Sequence, residues 1–264
     1  MANPDLPASD RPAKLELRQL QKSFRGDQGL VPVLAGVDLT AHEGEFVSVI
    51  GPSGCGKSTL LEVIAGLQVP DQGEVLVDGV PSAGAKCAYM PQKDLLFPWR
   101  RVIDNVTLGL EVAGVRRVEA RQQVAPLLDA FGLGGFERSY PFQLSGGMRQ
   151  RAALLRTVVQ GRSLLLLDEP MGALDSLTRT DVQVWLGSVW DQYRWTVLLV
   201  THDIREAVYL SDTVYVLSGR PARVVARMDV GLPRPRSVGM MAAPEAAELE
   251  GRLLNTLREG QLTY

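Results

Sequence analysis

Apolar and polar residues alternate from Lys14 to Phe24, in KLELRQLQKSF. That period of two predicts a strand with Leu15, Leu17 and Leu20 on its buried side. A different pattern follows at EFVSVIG, Glu45 to Gly51, a short and nearly continuous β-branched run expected of a strand covered on both faces. Beyond it the spacing turns helical, with Leu60, Leu61, Ile64 and Ala65 on one side of a predicted helix. GEVLVDGV reads as a hairpin strand, and CAYMPQ as another short strand.

The pattern changes character from about 95 to 160. Ile103, Val106 and Leu110 recur at helical spacing, as do Ala120, Val124, Leu127, Leu128 and Phe131. This region predicts a helical insertion between β/α units. SLLLLDEP then resumes the sheet, a helix bearing Val182, Trp185, Val189 and Trp190 covers it, and TVLLVTH is a further buried strand. DTVYVLSGRPARVVARM reads as a hairpin turning around Ser218 to Pro221. A Pro-rich connection, LPRPRS, leads to a last helix with Leu249, Leu253 and Leu257 on one face. Residues 1–13, rich in Pro, Asp and Ala, read as a flexible leader. Alternating strands and helices with a helical insert imply the α/β class with a mainly parallel core.

Composition adds exclusions. The 264 residues are 45% hydrophobic and 22% charged, as in ordinary soluble proteins. A net charge of −2 argues against an electrostatic nucleic-acid binder. The apolar runs fall far short of the ~20 residues needed to cross a bilayer, and the start lacks the pattern of a signal peptide. Cys55 and Cys87 have no metal-ligand spacing, which predicts a reduced, cytoplasmic setting.

Five short stretches carry candidate chemistry. GPSGCGKST fits the phosphate-binding P-loop through Gly51, Gly56, Lys57 and Ser58, with Pro52, Ser53, Gly54, Cys55 and Thr59 completing the stretch. Its glycines let backbone N–H groups face phosphates at the positive end of a helix. Lys57 is expected to contact the β- and γ-phosphates, and Ser58 Oγ to ligate Mg²⁺. In LLLLDEP, Asp168 ends a buried strand, placed to hold Mg²⁺ through water, and Glu169 is a candidate base for the attacking water. His202, just past TVLLVT, is a candidate γ-phosphate sensor. Gln92, in YMPQ, is a candidate to ligate Mg²⁺ or position water. A second phosphate-grade helix start, LSGGMRQR, has no catalytic acid, base or metal ligand beside it.

Taken in order, GPSGCGKST, YMPQ, LSGGMRQR, LLLLDEP, MGALD and LLVTHD make the chain resemble the nucleotide-binding subunits of the ATP-binding-cassette (ABC) family over roughly residues 14–220. The resemblance implies a P-loop NTPase (RecA-like) core, an antiparallel β subdomain and an inserted α-helical subdomain, with residues 221–264 as a C-terminal extension. It also implies that ATP and Mg²⁺ are bound and that LSGG serves the opposite subunit. Ser145, Gly146 and Gly147 would meet a γ-phosphate held by the partner's P-loop, in a dimer of identical or related cassettes. By the same implication Asp175 couples the two sites and Phe24 lies under the adenine. Met148, Phe24 and Gly172 depart from the family's commonest residues there (Gln, Tyr and Ser), and Gly172 puts the tightness of inter-site coupling in doubt.

LLFPW, Leu95 to Trp99, forms an apolar patch in an expected surface connection. With DNV and LPRPRS it is similar to importer subunits of the nitrate, sulfonate and taurine type. That similarity implies a peripheral protein at the cytoplasmic face of the membrane, energising an integral permease and, indirectly, served by an extracytoplasmic solute-binding protein. A soluble non-transport ABC ATPase and an exporter ATPase remain alternatives.

Overall fold

The structure, a computed structural model, describes residues 11–27, 29–82 and 86–262. Two sheets organise it. Strands β1 (Ala13–Gly26), β2 (Gly29–His42), β4 (Gln72–Val77) and β5 (Val80–Pro81) form an antiparallel sheet in the order β2-β1-β4-β5. The other strands are β3 (Phe46–Ile50), β6 (Cys87–Met90), β7 (Leu164–Asp168), β8 (Thr196–Thr201), β9 (Thr213–Leu217) and β10 (Val224–Asp229). They make a sheet in the order β10-β9-β3-β8-β7-β6, parallel from β9 to β6, with β10 antiparallel at its edge. This is the mixed α/β arrangement that the alternation of patterns predicted.

The continuous apolar runs explain why the parallel sheet sits in the middle. With a side-chain period of two, Val47, Val49, Leu164, Leu166, Leu198 and Val200 face one way, and Phe46, Ile50, Leu165, Leu167, Val197 and Leu199 the other. Against the first face pack helix α1 (Lys57–Ile64) and the apolar side of β1 and β2, including Leu15, Leu17 and Leu20. Against the second pack α5 (Gly146–Val158), α6 (Ser176–Tyr193), α7 (Ile204–Leu210) and α8 (Pro244–Leu262). Helices α2 (Val102–Val106), α3 (Leu108–Val112) and α4 (Arg117–Ala130) precede α5 in the segment between β6 and β7. They join the same cluster through Ile103, Val106, Val124 and Leu128.

Several expectations shift. Residues 1–10 of the expected leader lie outside the described residues. Residues 11–13 are tied to the fold: His42 Nδ1 stands 2.8 Å from the Arg11 carbonyl, and Glu43 N donates to the Pro12 carbonyl at 2.9 Å. Strand β2 carries no clean alternation because Pro32 and two glycines interrupt it, which the sheet tolerates at an edge. The helix read from VIDNVTLGLEVAGV is divided between α2 and α3 at Thr107, whose hydroxyl bonds back to the Ile103 carbonyl at 2.9 Å. The LLFPW patch also divides. Leu96 is buried, whereas Leu95 is 57% and Trp99 71% exposed.

Candidate active site

Five neighbouring parallel strands, β9, β3, β8, β7 and β6, point their carboxyl ends to one side of the sheet. The loops that leave such ends are where an open α/β sheet builds a site. After β3 comes Gly51 to Gly56, leading into α1; after β8 comes His202; after β7, Glu169; after β6, Gln92; after β9, the turn that holds Arg220. One cleft of about 440 Å³ is lined by Ser53, Gly54, Gly56, Lys57, Ser58, Thr59, Gln92, Glu169, Val33 and Arg220.

Within the P-loop, Gly56 has φ +122°, and a Cβ there would lie 2.7 Å from Val33 Cγ1 on β2. Only glycine satisfies both the backbone angle and the contact. Lys57 follows, buried, with Nζ donating to the carbonyls of Gly51 and Pro52 at 2.9 Å each. Cys55 is packed beneath the loop, and burial, opposed by the nearby Lys57 charge, raises its thiol pKa. It lies in the loop as a small core residue.

Ser58 Oγ donates to Asp168 Oδ1 at 3.2 Å, and the Tyr89 hydroxyl donates to Asp168 Oδ2 at 3.3 Å. Burial pushes the Asp168 pKa up, against those two hydrogen bonds, which lower it. A desolvated carboxylate beside a hydroxyl is a hard oxygen set, and it fits Mg²⁺, which binds to one or two protein oxygens and completes its shell with water and phosphate. No cluster of three or more His, Cys, Asp or Glu fit for a metal occurs among the described residues.

Glu169 occupies the left-handed region at φ +42°, uncommon for a residue with a Cβ. Two groups converge on its Oε2: Gln92 Nε2 at 3.2 Å and His202 Nδ1 at 3.2 Å. The three residues therefore meet although 33 to 110 positions separate them along the chain. A Cβ on Gly172 would stand 3.3 Å from the same oxygen.

Ser145, Gly146, Gly147 and Asp175 lie elsewhere. Ser145 caps α5, accepting from Met148 N at 3.2 Å, and Asp175 caps α6, accepting from Thr178 N at 3.1 Å. The Thr178 contact holds the Asp175 carboxyl below its ordinary pKa. The two helix starts touch: a Cβ on Gly147 would lie 3.0 Å from Thr178 Cγ2, and one on Gly146 3.0 Å from Leu174 Cδ2. Gly146 lines a second cleft, of about 550 Å³, with Gln92, Asp94, Arg149, Gly172 and Leu174. Gln92 is the residue common to both clefts. Phe24 does not line the P-loop cleft; it sits opposite Val31 on the β1–β2 ladder with Lys22 Nζ 5.3 Å from its ring centroid.

Three lining or supporting residues escaped the sequence reading. Tyr89 stood in the quoted YMPQ stretch but gave no signal beyond strand propensity. Val33 sits in a strand whose pattern is broken, and Arg220 in a hairpin turn to which no chemistry was attached.

Comparison with known proteins adds a family. The model described as ABC transporter matches residues 34–172. The chain is 44% identical to the aliphatic sulfonates import ATP-binding protein SsuB 1 of Agrobacterium fabrum, over 97% of this chain and 92% of that protein. It is 45% identical to the taurine import ATP-binding protein TauB of Rhizobium johnstonii, over 83% of this chain and 86% of that one. A solved dimeric ATP-binding cassette in a post-hydrolysis state, bound to ADP and Pi, superposes with a TM-score of 0.72 at 29% identity, covering 83% of this chain and all of that chain.

Proposed function

This chain belongs to the ABC transporter family as an ATP-binding, ATP-hydrolysing subunit, and we propose that it energises a membrane importer for a small solute, of the nitrate, sulfonate or taurine kind. The observation that carries the hydrolytic part is the meeting of Gln92 and His202 on Glu169 Oε2 beside the P-loop. Glu169 accepts a proton from water as the water oxygen forms a bond to the γ-phosphorus. The bond from that phosphorus to the β–γ bridging oxygen breaks, leaving ADP and inorganic phosphate. Lys57 and the P-loop amides hold the phosphates, and His202 and Gln92 fix the carboxylate and the γ-phosphate end. Ser58 and, through water, Asp168 would hold Mg²⁺, with Gln92 in reach of the same cleft, and the ion would supply charge neutralisation of the phosphates.

The placement of the second helix start on a different cleft from the P-loop supports a paired arrangement. Neither Ser145 nor Gly147 lines the P-loop cleft of its own chain, which supports a reading in which the second helix start serves a nucleotide held by a second chain. A two-fold pair would close two such sandwiches at once. The cited dimeric cassette and the importer relatives favour this reading over a soluble ABC ATPase.

No helix among the described residues is long and apolar enough to cross a membrane, so translocation requires a separate permease. The exposed Trp99, stacked on Phe97 at 5.2 Å between ring centroids, and exposed Leu95 form the surface proposed to receive it. That loop is braced by buried Asn105, which donates to the Phe97 and Arg100 carbonyls at 3.1 and 3.0 Å. The protein would then sit at the cytoplasmic face of the membrane. Tagged protein recovered from detergent-solubilised host membranes should bring down a polytopic membrane protein. Recovery of soluble proteins or nucleic acid alone would overturn the importer assignment and leave the ATP site standing.

A further inference from the structure

The turn between β9 and β10 brings a cation to the P-loop cleft that the hydrolytic arrangement above does not use. Arg220 lines the cleft with Val33, Ser53 and Gly54, and it is exposed. Among the described residues its guanidinium makes no hydrogen bond or ion pair with the protein. The other cation of the cleft, Lys57, already spends two N–H donors on the Gly51 and Pro52 carbonyls. Arg220 is therefore the basic group with its full donor set free.

Its backbone is held from three directions. Ser218 N donates to the Arg223 carbonyl at 2.9 Å, and Arg223 N to Ser218 Oγ at 3.0 Å. Ala222 N donates to the Val33 carbonyl at 2.8 Å, and Ala35 N to the Ala222 carbonyl at 3.0 Å, which ties the turn to β2. Gly219 N reaches the Gly260 carbonyl of α8 at 3.2 Å. A side chain on so fixed a base loses only its own rotamer freedom when it binds.

Strand order gives the position. β9 flanks β3 on the side away from β8 and β7, so Arg220 and Glu169 stand at opposite ends of the P-loop. If Glu169 directs the water, the γ-phosphate lies at its end, and the end beside Arg220 and Val33 receives the part of the nucleotide that is not transferred. We infer that Arg220 binds the α-phosphate of a nucleoside di- or triphosphate, and so contributes affinity common to ATP and ADP; this rests on the nucleotide-hydrolysis reading. A guanidinium suits the role because its planar fork pairs with two phosphate oxygens at once.

Dissociation constants for ADP and for a non-hydrolysable ATP analogue, measured by titration calorimetry on the full chain, test the inference. Arg220→Ala should weaken both ligands roughly tenfold or more and by a similar factor, with Arg220→Lys recovering part. In steady-state hydrolysis the loss should fall on KM rather than kcat. Arg220→Gln, which keeps the stem, should follow Arg220→Ala and excludes an effect of truncation. Wild-type affinity in the Ala and Gln variants would overturn the inference, as would a loss confined to the triphosphate analogue, which puts the guanidinium at the γ-phosphate. Lys57→Ala separates the two readings. If it loses binding while the Arg220 variants do not, only the Arg220 assignment fails; if neither change affects binding, the nucleotide site itself is misplaced.

Discussion

His202 Nδ1 lies 3.2 Å from Glu169 Oε2, which joins the end of β8 to the turn after β7. The same oxygen also accepts from the Gln92 amide at 3.2 Å, so two side chains orient the carboxylate. Its backbone is held in the left-handed region at φ +42°. Both contacts fall on the one oxygen, so the side chain of Glu169, the proposed base, is held at the edge of the cleft.

Removing the charge while keeping the shape tests that base. Glu169→Gln should retain nucleotide affinity and lose hydrolysis by roughly 10²–10⁴-fold. With hydrolysis blocked, ATP should hold two chains together, and light scattering on a gel-filtration column should show a dimer with ATP and a monomer without it. A persistent monomer would contradict the sandwich.

Removing the imidazole acts on position rather than on the proton acceptor. His202→Ala should lower kcat by about 10²-fold with ATP binding changed little. A comparable loss in KM instead would place His202 among ground-state contacts.

Gly56 is required by packing as well as by backbone angle. Gly56→Ala places a Cβ 2.7 Å from Val33 Cγ1 at φ +122°. The strain and the displaced loop should cost about 1–3 kcal/mol. A thermal melt should fall by several degrees, and nucleotide binding should weaken in the same variant.

A buried carboxyl next to the site makes stability depend on pH. Glu206, 3% exposed, pairs with the Thr201 hydroxyl and leaves Oε1 without a partner. Burial, opposed by the Thr201 hydrogen bond and reinforced by the Asp203 charge, raises its pKa from an ordinary 4.5 to about 7. The folded chain thus holds this proton more tightly than the unfolded one. Its contribution is full below pH 4.5, declines as pH rises between the two values, and is gone above about pH 7. Glu206→Gln should therefore be more stable than the parent at pH 8, by on the order of 3 kcal/mol, and melt at a higher temperature, with the difference shrinking at pH 5. Equal melting differences at both pH values would remove Glu206 as the cause.

Local pattern was enough to determine the strands and helices of the core. Period two in KLELRQLQKSF, continuous runs at β3, β7 and β8, and helical spacing at α4, α6 and α8 each depend on neighbours a few residues away. The ordered motifs determined the family in the same way, because glycines, a lysine and a hydroxyl at fixed spacing are a property of one loop. Strand β2 was lost because Pro32 breaks its pattern, and α7 because seven residues are too few to show a period.

The tertiary structure alone decided which residues act together. Glu169, Gln92 and His202 meet only because β7, β6 and β8 run parallel, so their loops emerge on one side. The same order places Arg220 at the far end of the P-loop, brings Tyr89 to Asp168, and assigns Leu96 to the core while leaving Trp99 outside. These are relations between distant segments, set by strand order and the direction in which each side chain leaves the sheet. No spacing along the chain encodes them.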